Sequence, residues 1–324
     1  MDDKELRTFS VSESLKDQRL DQALVKAGIV SSRSQGQKWI QQDLVTVNGY
    51  KEKASYKLQD GDKIEVFVPA KIDIELVPYD FPLEIIFEDD DVIVVNKPAG
   101  LVVHPAAGHA SDTLVNALLA HQIKLSKGSE EFRPGLVHRI DKGTSGLLVL
   151  AKNEAAHNHL AKQFLKKTIH RRYWALCFSG PKKDQGTIEG FIKRDPANRK
   201  RFVHSDKPDD GKRAVTHFKV VKRESLFSLL ELTLETGRTH QIRVHLSHIH
   251  CPIVGDDLYN GTKIARSLKN QTLKKLILEM ERFSLHAKEL GFIHPKTGDR
   301  LFFETPIPID LHSLFQLSGF SDVL

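Results

Sequence analysis

The stretch P-G-L-V-H-R-I-D-K-G-T-S-G-L-L-V-L-A-K, Pro134 to Lys152, decides how the rest of the chain reads. Its second half, Leu147 to Ala151, is a short continuous apolar run of the kind that fills a buried strand. Its first half sets a carboxylate, Asp141, between the cations Arg139 and Lys142. Thr144, Ser145 and two glycines follow, all residues that form turns readily. Nearby positive charge favours the ionised form of such a carboxylate. An ionised carboxylate on a turn is a candidate nucleophile or base. Aspartate also caps turns for purely structural reasons, and the stretch alone does not separate the two readings.

Working outward, Val92 to Val95 predicts a second buried strand, and Asp112 to His121 predicts a helix with Leu114, Leu118 and Leu119 inward. Asn153 is placed to cap a helix carrying Ala156, Leu160 and Phe164 on one face. Tyr173 to Phe178 and Thr216 to Val221 read as strands. Leu230, Leu232 and Leu234 alternate with Glu231 and Thr233, the pattern of a half-buried strand. Gly180 to Arg213, dense in Lys193, Arg194, Arg199, Lys200 and Arg201, reads as a solvated excursion between strands. Strands and helices mix without strict alternation, so the expected class is α+β, with a mixed, mainly antiparallel sheet flanked by helices and loops.

A proline-marked stretch, 69–82, reads as a linker, because residues before proline favour extended backbone. It separates a small unit, 17–68, from a large one, 83–315. In the small unit Leu20, Ala23, Leu24 and Ala27 recur at helical spacing and Gly28 closes the helix. Ser31 or Ser32 is placed to cap a second helix holding Trp39 and Ile40. Val45 and Val47, an Asn48-Gly49 turn, and Ile64, Val66 and Val68 predict short strands. A unit this small has no room for a deep pocket and reads as a binding module.

Two further segments could carry chemistry. E-T-G-R-T-H-Q-I-R-V-H, Glu235 to His245, brings Arg238, His240 and Arg243 after a strand and a glycine turn. The arginines suit a buried carboxylate or phosphates, or form a basic strand end in solvent. H-R-R-Y-W-A-L, His170 to Leu176, offers Tyr173 for stacking on a base and Arg171 and Arg172 for phosphates. A core tyrosine is the alternative. His245, His248, His250 and Cys251 suggest a metal cluster, but they lack the spacing of a structural zinc site, so no metal is expected. No phosphate loop, kinase signature or serine-hydrolase elbow is present, which disfavours nucleotide-driven and esterase chemistry.

Composition sets the class. The 324 residues hold 48 basic and 42 acidic side chains, a net charge of +6, with 16 further histidines. This excludes an acidic disordered regulator and is compatible with a polyanionic partner. Two cysteines exclude a disulfide framework. No apolar run is long enough to span a bilayer, and M-D-D-K-E-L-R lacks the order of a signal peptide. A cytoplasmic protein with no membrane association is the expectation.

At these residues the chain resembles the RluA-like family of pseudouridine synthases. Three blocks carry the likeness: Val92 to Pro105, Pro134 to Lys152, and Leu234 to His245. G-D-D-L-Y, Gly255 to Tyr259, and L-H-A, Leu285 to Ala287, fit as well. The small unit separately resembles the αL-type RNA-binding fold of a ribosomal protein. That likeness rests on R-L-D-Q-A-L, Ser32-Arg33-Ser34, V-T-V-N-G and Gly61-Asp62, with Gln42-Asp43 where a glycine is usual. The resemblance implies isomerisation of uridine to pseudouridine, with no cofactor, nucleotide or metal. It implies Asp141 as the essential carboxylate, Tyr173 stacked under the uracil, and Arg243 paired with Asp141. Arg139 would fill the gap left by the flipped nucleotide. Arg238, His240, Arg19, Arg33 and Lys38 are the further candidate RNA contacts. The implied partner is RNA, large-subunit ribosomal RNA before transfer RNA, bound by a monomer. An inactive RNA-binding protein and an RNA hydrolase using Asp141 as base are the rival classes.

Overall fold

The structure is a computed structural model that describes residues 5–30, 33–68, 76–106, 108–127, 133–208 and 210–324. Ser31, Ser32 and residues 69–75 of the expected linker lie outside the described residues. The chain divides into two compact units, Met1–Glu75 and Leu76–Leu324.

The first unit comprises β1 (Glu5–Ser10), α1 (Leu20–Lys26), α2 (Arg33–Gln41), β2 (Val45–Val47), β3 (Tyr50–Lys51) and β4 (Lys63–Val68). Its antiparallel sheet runs β1-β4-β2-β3. The expected helix forms, with Leu20, Ala23 and Leu24 fully buried against Ile64 and Val66, while Ala27 is its exposed C-cap. Gly28 follows α1 at φ 69°. Asn48 and Gly49 both take positive φ, 52° and 81°, the signature of a type I′ hairpin turn. Asp43 stands at φ 59°, so an aspartate takes the left-handed position that a glycine usually fills. β1 was not expected. It pairs Glu5 to Ser10 along the edge of β4, and most of its side chains are exposed, which leaves little hydrophobic pattern to read.

The second unit comprises β5 (Glu84–Glu88), β6 (Val92–Lys97), α3 (Leu114–Ala120), β7 (Ser145–Ala151), α4 (Glu154–Lys166), β8 (His170–Phe178), β9 (Gln185–Arg194) and β10 (Phe202–Ser205). It continues with β11 (Lys212–Glu224), β12 (Phe227–Leu234), α5 (Gln241–His248), α6 (Gly261–Ala265), α7 (Gln271–Glu279), β13 (Leu285–Ile293), β14 (Arg300–Glu304) and α8 (His312–Leu317). One sheet runs β10-β9-β11-β12-β8-β13-β7-β6-β5, with β14 also on β13. Neighbours are antiparallel except β13 and β7, which are parallel. Every residue of β7 is buried, as its apolar run requires. On one face, Leu148 and Leu150 share a core with Leu114 and Leu118 of α3 and Ile242 and Leu246 of α5. On the other, Leu147 and Val149 meet Ala156 and Leu160 of α4. Asn153 Oδ1 accepts the Ala156 N–H at 2.9 Å, the expected cap.

Two expectations are corrected. Leu119 is not inward but 38% exposed. It stands about 100° round the helix from Leu118, off the face that Leu114 and Leu118 bury. The segment Gly180 to Arg213 is not a loop excursion, because it builds β9, β10 and the start of β11. Ile188, Gly190 and Ile192 alternate inward while Thr187, Glu189, Phe191 and Lys193 take the other face. Gly190 breaks the apolar rhythm because a Cβ there would lie 2.2 Å from the His204 ring on β10.

Candidate active site

The H-R-I-D-K-G-T-S-G segment enters β7 as a tight turn. The Thr144 N–H donates to the Asp141 carbonyl at 3.0 Å, and Gly100 N–H donates to the Lys142 carbonyl at 2.8 Å. Gly143 lies so close to Phe283 that a Cβ would meet its ring at 2.8 Å. Gly146, at φ 112°, passes the Ala287 backbone where a Cβ would lie 2.2 Å from the carbonyl oxygen. Both glycines are therefore required by close approach. His138, which precedes the turn, accepts the Val149 N–H at 3.2 Å and stacks on Phe164. Burial pushes its imidazole down to about 3, so it is neutral and structural.

A residue not singled out from sequence holds this turn from below. Lys97, at the end of β6, is fully buried and donates to the carbonyls of Pro98, Leu101 and Lys142 at 2.7, 2.8 and 3.3 Å. Burial and then the Arg282 charge push its ammonium down to about 7.

Asp141 is paired with Arg243. Arg243 Nη1 donates to Asp141 Oδ2 at 3.2 Å. Arg243 sits on α5, a helix that the sequence did not announce, since its N-cap is His240 in a left-handed conformation with no capping bond. The guanidinium is fixed on its other edges. Nε and Nη2 donate to the two oxygens of Asp256 at 2.7 and 3.1 Å. Asp256 is 1% exposed and also accepts the N–H groups of Leu258 and Tyr259, both at 3.1 Å. Phe283 and Tyr259 pack on the guanidinium, 4.2 and 4.9 Å from their ring centres. Burial alone would lower the Arg243 pKa, but the Asp256 bond and charge, then Asp141, outweigh it and raise it. Asp256 lies in the G-D-D-L-Y block, whose charge pair was the available signal.

A cleft opens beside this pair, lined by Arg139, Asp141, Thr144, Arg171, Tyr173 and His240 among others. Tyr173 comes from β8, opposite Ala287 of β13. It is 5% exposed, and burial raises its pKa, so the phenol is protonated at neutral pH. The structure thus brings Asp141 and Tyr173 to one cleft, with Arg139, Arg238 and His240 on its wall, and Arg243 joins them through its bond to Asp141. Arg139 is exposed, and its Nη1 lies 3.4 Å from His104 Nε2. Arg238 Nε donates to the Arg213 carbonyl at 3.0 Å. Arg172 is not placed for phosphates, since it lies 3.1 Å from Glu289 and 3.3 Å from Glu231.

In the small unit, Arg19 and Arg33 converge on a fully buried carboxylate. Their Nε atoms reach Asp21 at 3.0 and 2.8 Å, and Gln37 adds a third donor at 2.6 Å. Burial alone would raise the Asp21 pKa, but the bonds from Arg19, Gln37 and Arg33 hold it well below the usual carboxylate range. Arg33 thereby ties α2 to α1, while Arg19 holds the same carboxylate from the N-cap of α1, and they keep 50% and 36% of their side chains exposed. Lys38 is exposed on α2.

The residues of the histidine cluster named from sequence turn to separate partners. His245 Nδ1 lies 2.9 Å from Thr216 Oγ1, and Cys251 Sγ turns to the Ile249 carbonyl. His248 stacks on His204 instead, with Asp206 nearby.

Residues 91–248 match the RNA pseudouridylate synthase family and residues 18–64 match the S4 domain. The chain is 44% identical over 308 residues to an uncharacterized RNA pseudouridine synthase, YlyB, of Bacillus subtilis, covering 95% of this chain and 96% of that one. It is 45% identical over 265 residues to ribosomal large subunit pseudouridine synthase D of Zymomonas mobilis, covering 81% of each. Among solved structures, human RNA Pseudouridylate Synthase Domain Containing 4 aligns at TM-score 0.51 and 26% identity, over 71% of this chain and 92% of that one. Human RNA Pseudouridylate Synthase Domain Containing 1 aligns at TM-score 0.53 and 24% identity, over 69% and 83%, a likeness of fold.

Proposed function

The chain belongs to the RNA pseudouridine synthases, isomerases of uridine in RNA, and on that premise we propose that it acts on large-subunit ribosomal RNA with Asp141 as the essential carboxylate. The observation that carries the residue assignment is the geometry around Asp141. A buried arginine, bonded by two nitrogens to Asp256, turns its remaining nitrogen to Asp141 beside a buried tyrosine. An arginine anchored in this way orients the carboxylate without having to be ordered during the reaction.

The reaction is an isomerisation whose atoms balance without a co-reactant. The N1–C1′ bond breaks, the base turns, C5 joins C1′, and the proton on C5 is lost as N1 gains one. Asp141 starts the sequence by attack on the sugar, by promoting a glycal, or by addition to the base. Tyr173 supplies the stacking floor. Its phenol enters protonated, which suits a proton relay at the base carbon better than a phenolate base. Arg139, exposed at the mouth, replaces the base in the RNA stack. Unstacking costs a few kcal/mol, offset by phosphate contacts along the basic surface. No helix among the described residues is long and apolar enough to cross a membrane. On this reading the enzyme works in the cytoplasm as a monomer.

The ribosomal target rests on the relatives named ribosomal large subunit pseudouridine synthase D and on the S4 unit, whose half-exposed Arg19 and Arg33 and exposed Lys38 suit backbone phosphates. Pseudouridine mapping of total RNA with and without the protein tests it. Loss at large-subunit positions is expected, and loss confined to transfer RNA would move the target.

A further inference from the structure

His240 is the strained residue of the cleft. It holds φ 56° and ψ 20°, a conformation that costs a residue with a Cβ about 1 kcal/mol or more and persists where the surroundings impose it. The surroundings do impose it. Gln241 staples the turn, accepting from Thr236 Oγ1 and the Arg238 N–H at 2.7 and 3.0 Å and donating to the Val215 carbonyl at 2.9 Å. Phe202 and Tyr259 meet the His240 ring edge-on, with centres 5.5 and 5.7 Å away.

The hydrogen bonds fix where the imidazole proton sits. Tyr259 Oη accepts the Phe202 N–H at 3.0 Å and lies 2.9 Å from His240 Nδ1. Tyr259 is 1% exposed, so its own hydroxyl proton must go to a partner. Among the described residues that partner is His240 Nδ1. Burial pushes the phenol up to about 12 and the imidazole down, so the phenol keeps its proton and the imidazole stays neutral. With Nδ1 accepting, the ring proton belongs on Nε2. No described residue takes a bond from Nε2, and His240 lines the cleft.

We propose that His240 presents its Nε2–H to a carbonyl oxygen of the flipped uracil and stabilises the charge that the base acquires as its bond to the sugar is remade. This rests on the synthase reading above. When N1–C1′ breaks, its electron pair goes to the base and is shared by the base's carbonyl oxygens. Addition of a carboxylate to the base places charge there as well. His240 keeps its proton throughout. A fixed donor aimed at developing charge is worth more in the transition state than in the ground state. Tyr259 acts through His240 and Arg243 and is a positioning residue.

The test uses the full chain and an RNA fragment holding the target uridine. His240→Asn suits the left-handed backbone but stops short of the base, whereas His240→Gln places an amide N–H near the Nε2 position. Loss of one such donor predicts about a 10²-fold fall in kcat for His240→Asn. His240→Gln should recover about tenfold of that loss. Affinity for the same RNA with an abasic target position should stay within about threefold for both, because no base is there to contact. Tyr259→Phe should slow turnover about tenfold by releasing the tautomer. Turnover of His240→Asn within threefold of wild type would overturn the proposal. So would equal impairment of both variants with a lowered Tm, which marks a structural role. A wild-type chain that makes no pseudouridine in this fragment overturns the synthase reading beneath it.

Discussion

Asp256→Asn isolates the anchor behind the catalytic pair. The change keeps volume and shape but removes one charge from a site that is 1% exposed. Asp256 Oδ1 accepts Arg243 Nη2, Leu258 N–H and Tyr259 N–H, and an amide oxygen can keep those bonds. Oδ2 accepts Arg243 Nε at 2.7 Å. The amide nitrogen would take that place and set donor against donor. Breaking a buried ion pair from one side costs about 3–5 kcal/mol. Asp141, 3.2 Å from Nη1, still compensates part of the guanidinium charge, so the lower end, about 3 kcal/mol, is expected. For a unit near 250 residues, 1 kcal/mol moves Tm by about 2–4 °C, which gives a fall of about 6–12 °C. Turnover should fall about 10²-fold, since an ångström of misplacement at a catalytic group costs that much. Thermal unfolding and tritium release from uracil-labelled RNA read the two effects. A Tm within about 2 °C of wild type together with turnover within threefold would refute the anchoring role.

Asp141→Asn should abolish turnover with little change in Tm, because Arg243 keeps both bonds to Asp256; residual activity within tenfold of wild type would remove Asp141 from its role. Tyr173→Phe should bind RNA normally and turn over slowly, whereas collapsed affinity with normal turnover contradicts a stacking floor with a reactive hydroxyl. Lys97 bears on pH. Its folded pKa is near 7 against 10.5 for the ordinary group, so above pH 7 the unfolded chain holds a proton that the folded one sheds, and stability rises with pH. Urea unfolding from pH 7 to 9 should therefore show wild type gaining on Lys97→Met, by at most about 1.4 kcal/mol per pH unit, and parallel curves would contradict it. Deleting Met1 to Ala70 should leave the chemistry and flatten the salt dependence of RNA affinity, since each lost phosphate contact reduces the slope by about one; equal slopes for both lengths would show that the S4 unit does not hold RNA here.

What sequence made legible was whatever local chemistry dictates. The buried run of β7, the Asn153 cap and the Asn48-Gly49 turn each carry their own signal within a few residues. The aspartate, the tyrosine and the arginine were each visible in this way, and the resemblance gave them roles. What stayed hidden depends on distant partners. β9 is half wet and is broken by Gly190, which makes room for His204, so its alternation was masked by lysines and arginines. α5 begins on a histidine held by Tyr259 from nineteen residues ahead rather than on a capping side chain. That Arg19 and Arg33 also hold a carboxylate stayed hidden, because nothing local reveals that Asp21 is fully buried between them. Lys97 carries no local signal of its role, yet three carbonyls receive it.

The parallel seam between β7 and β13 also sets an order in time. The strands that bring Asp141 and Tyr173 are made early, but the strand that sits between them is made roughly a hundred residues after β8 ends. At the usual pace of synthesis, about 5–20 residues per second, that gap lasts on the order of 5–20 s. Until it closes, β7 and β8 each present an unpaired edge beside a carboxylate and a ring that cannot yet face each other. Such edges invite pairing with other chains. A message truncated before Leu285 would therefore yield an aggregating product and not a weakened enzyme, and a nascent chain whose β13 is not yet in place would be unable to modify RNA.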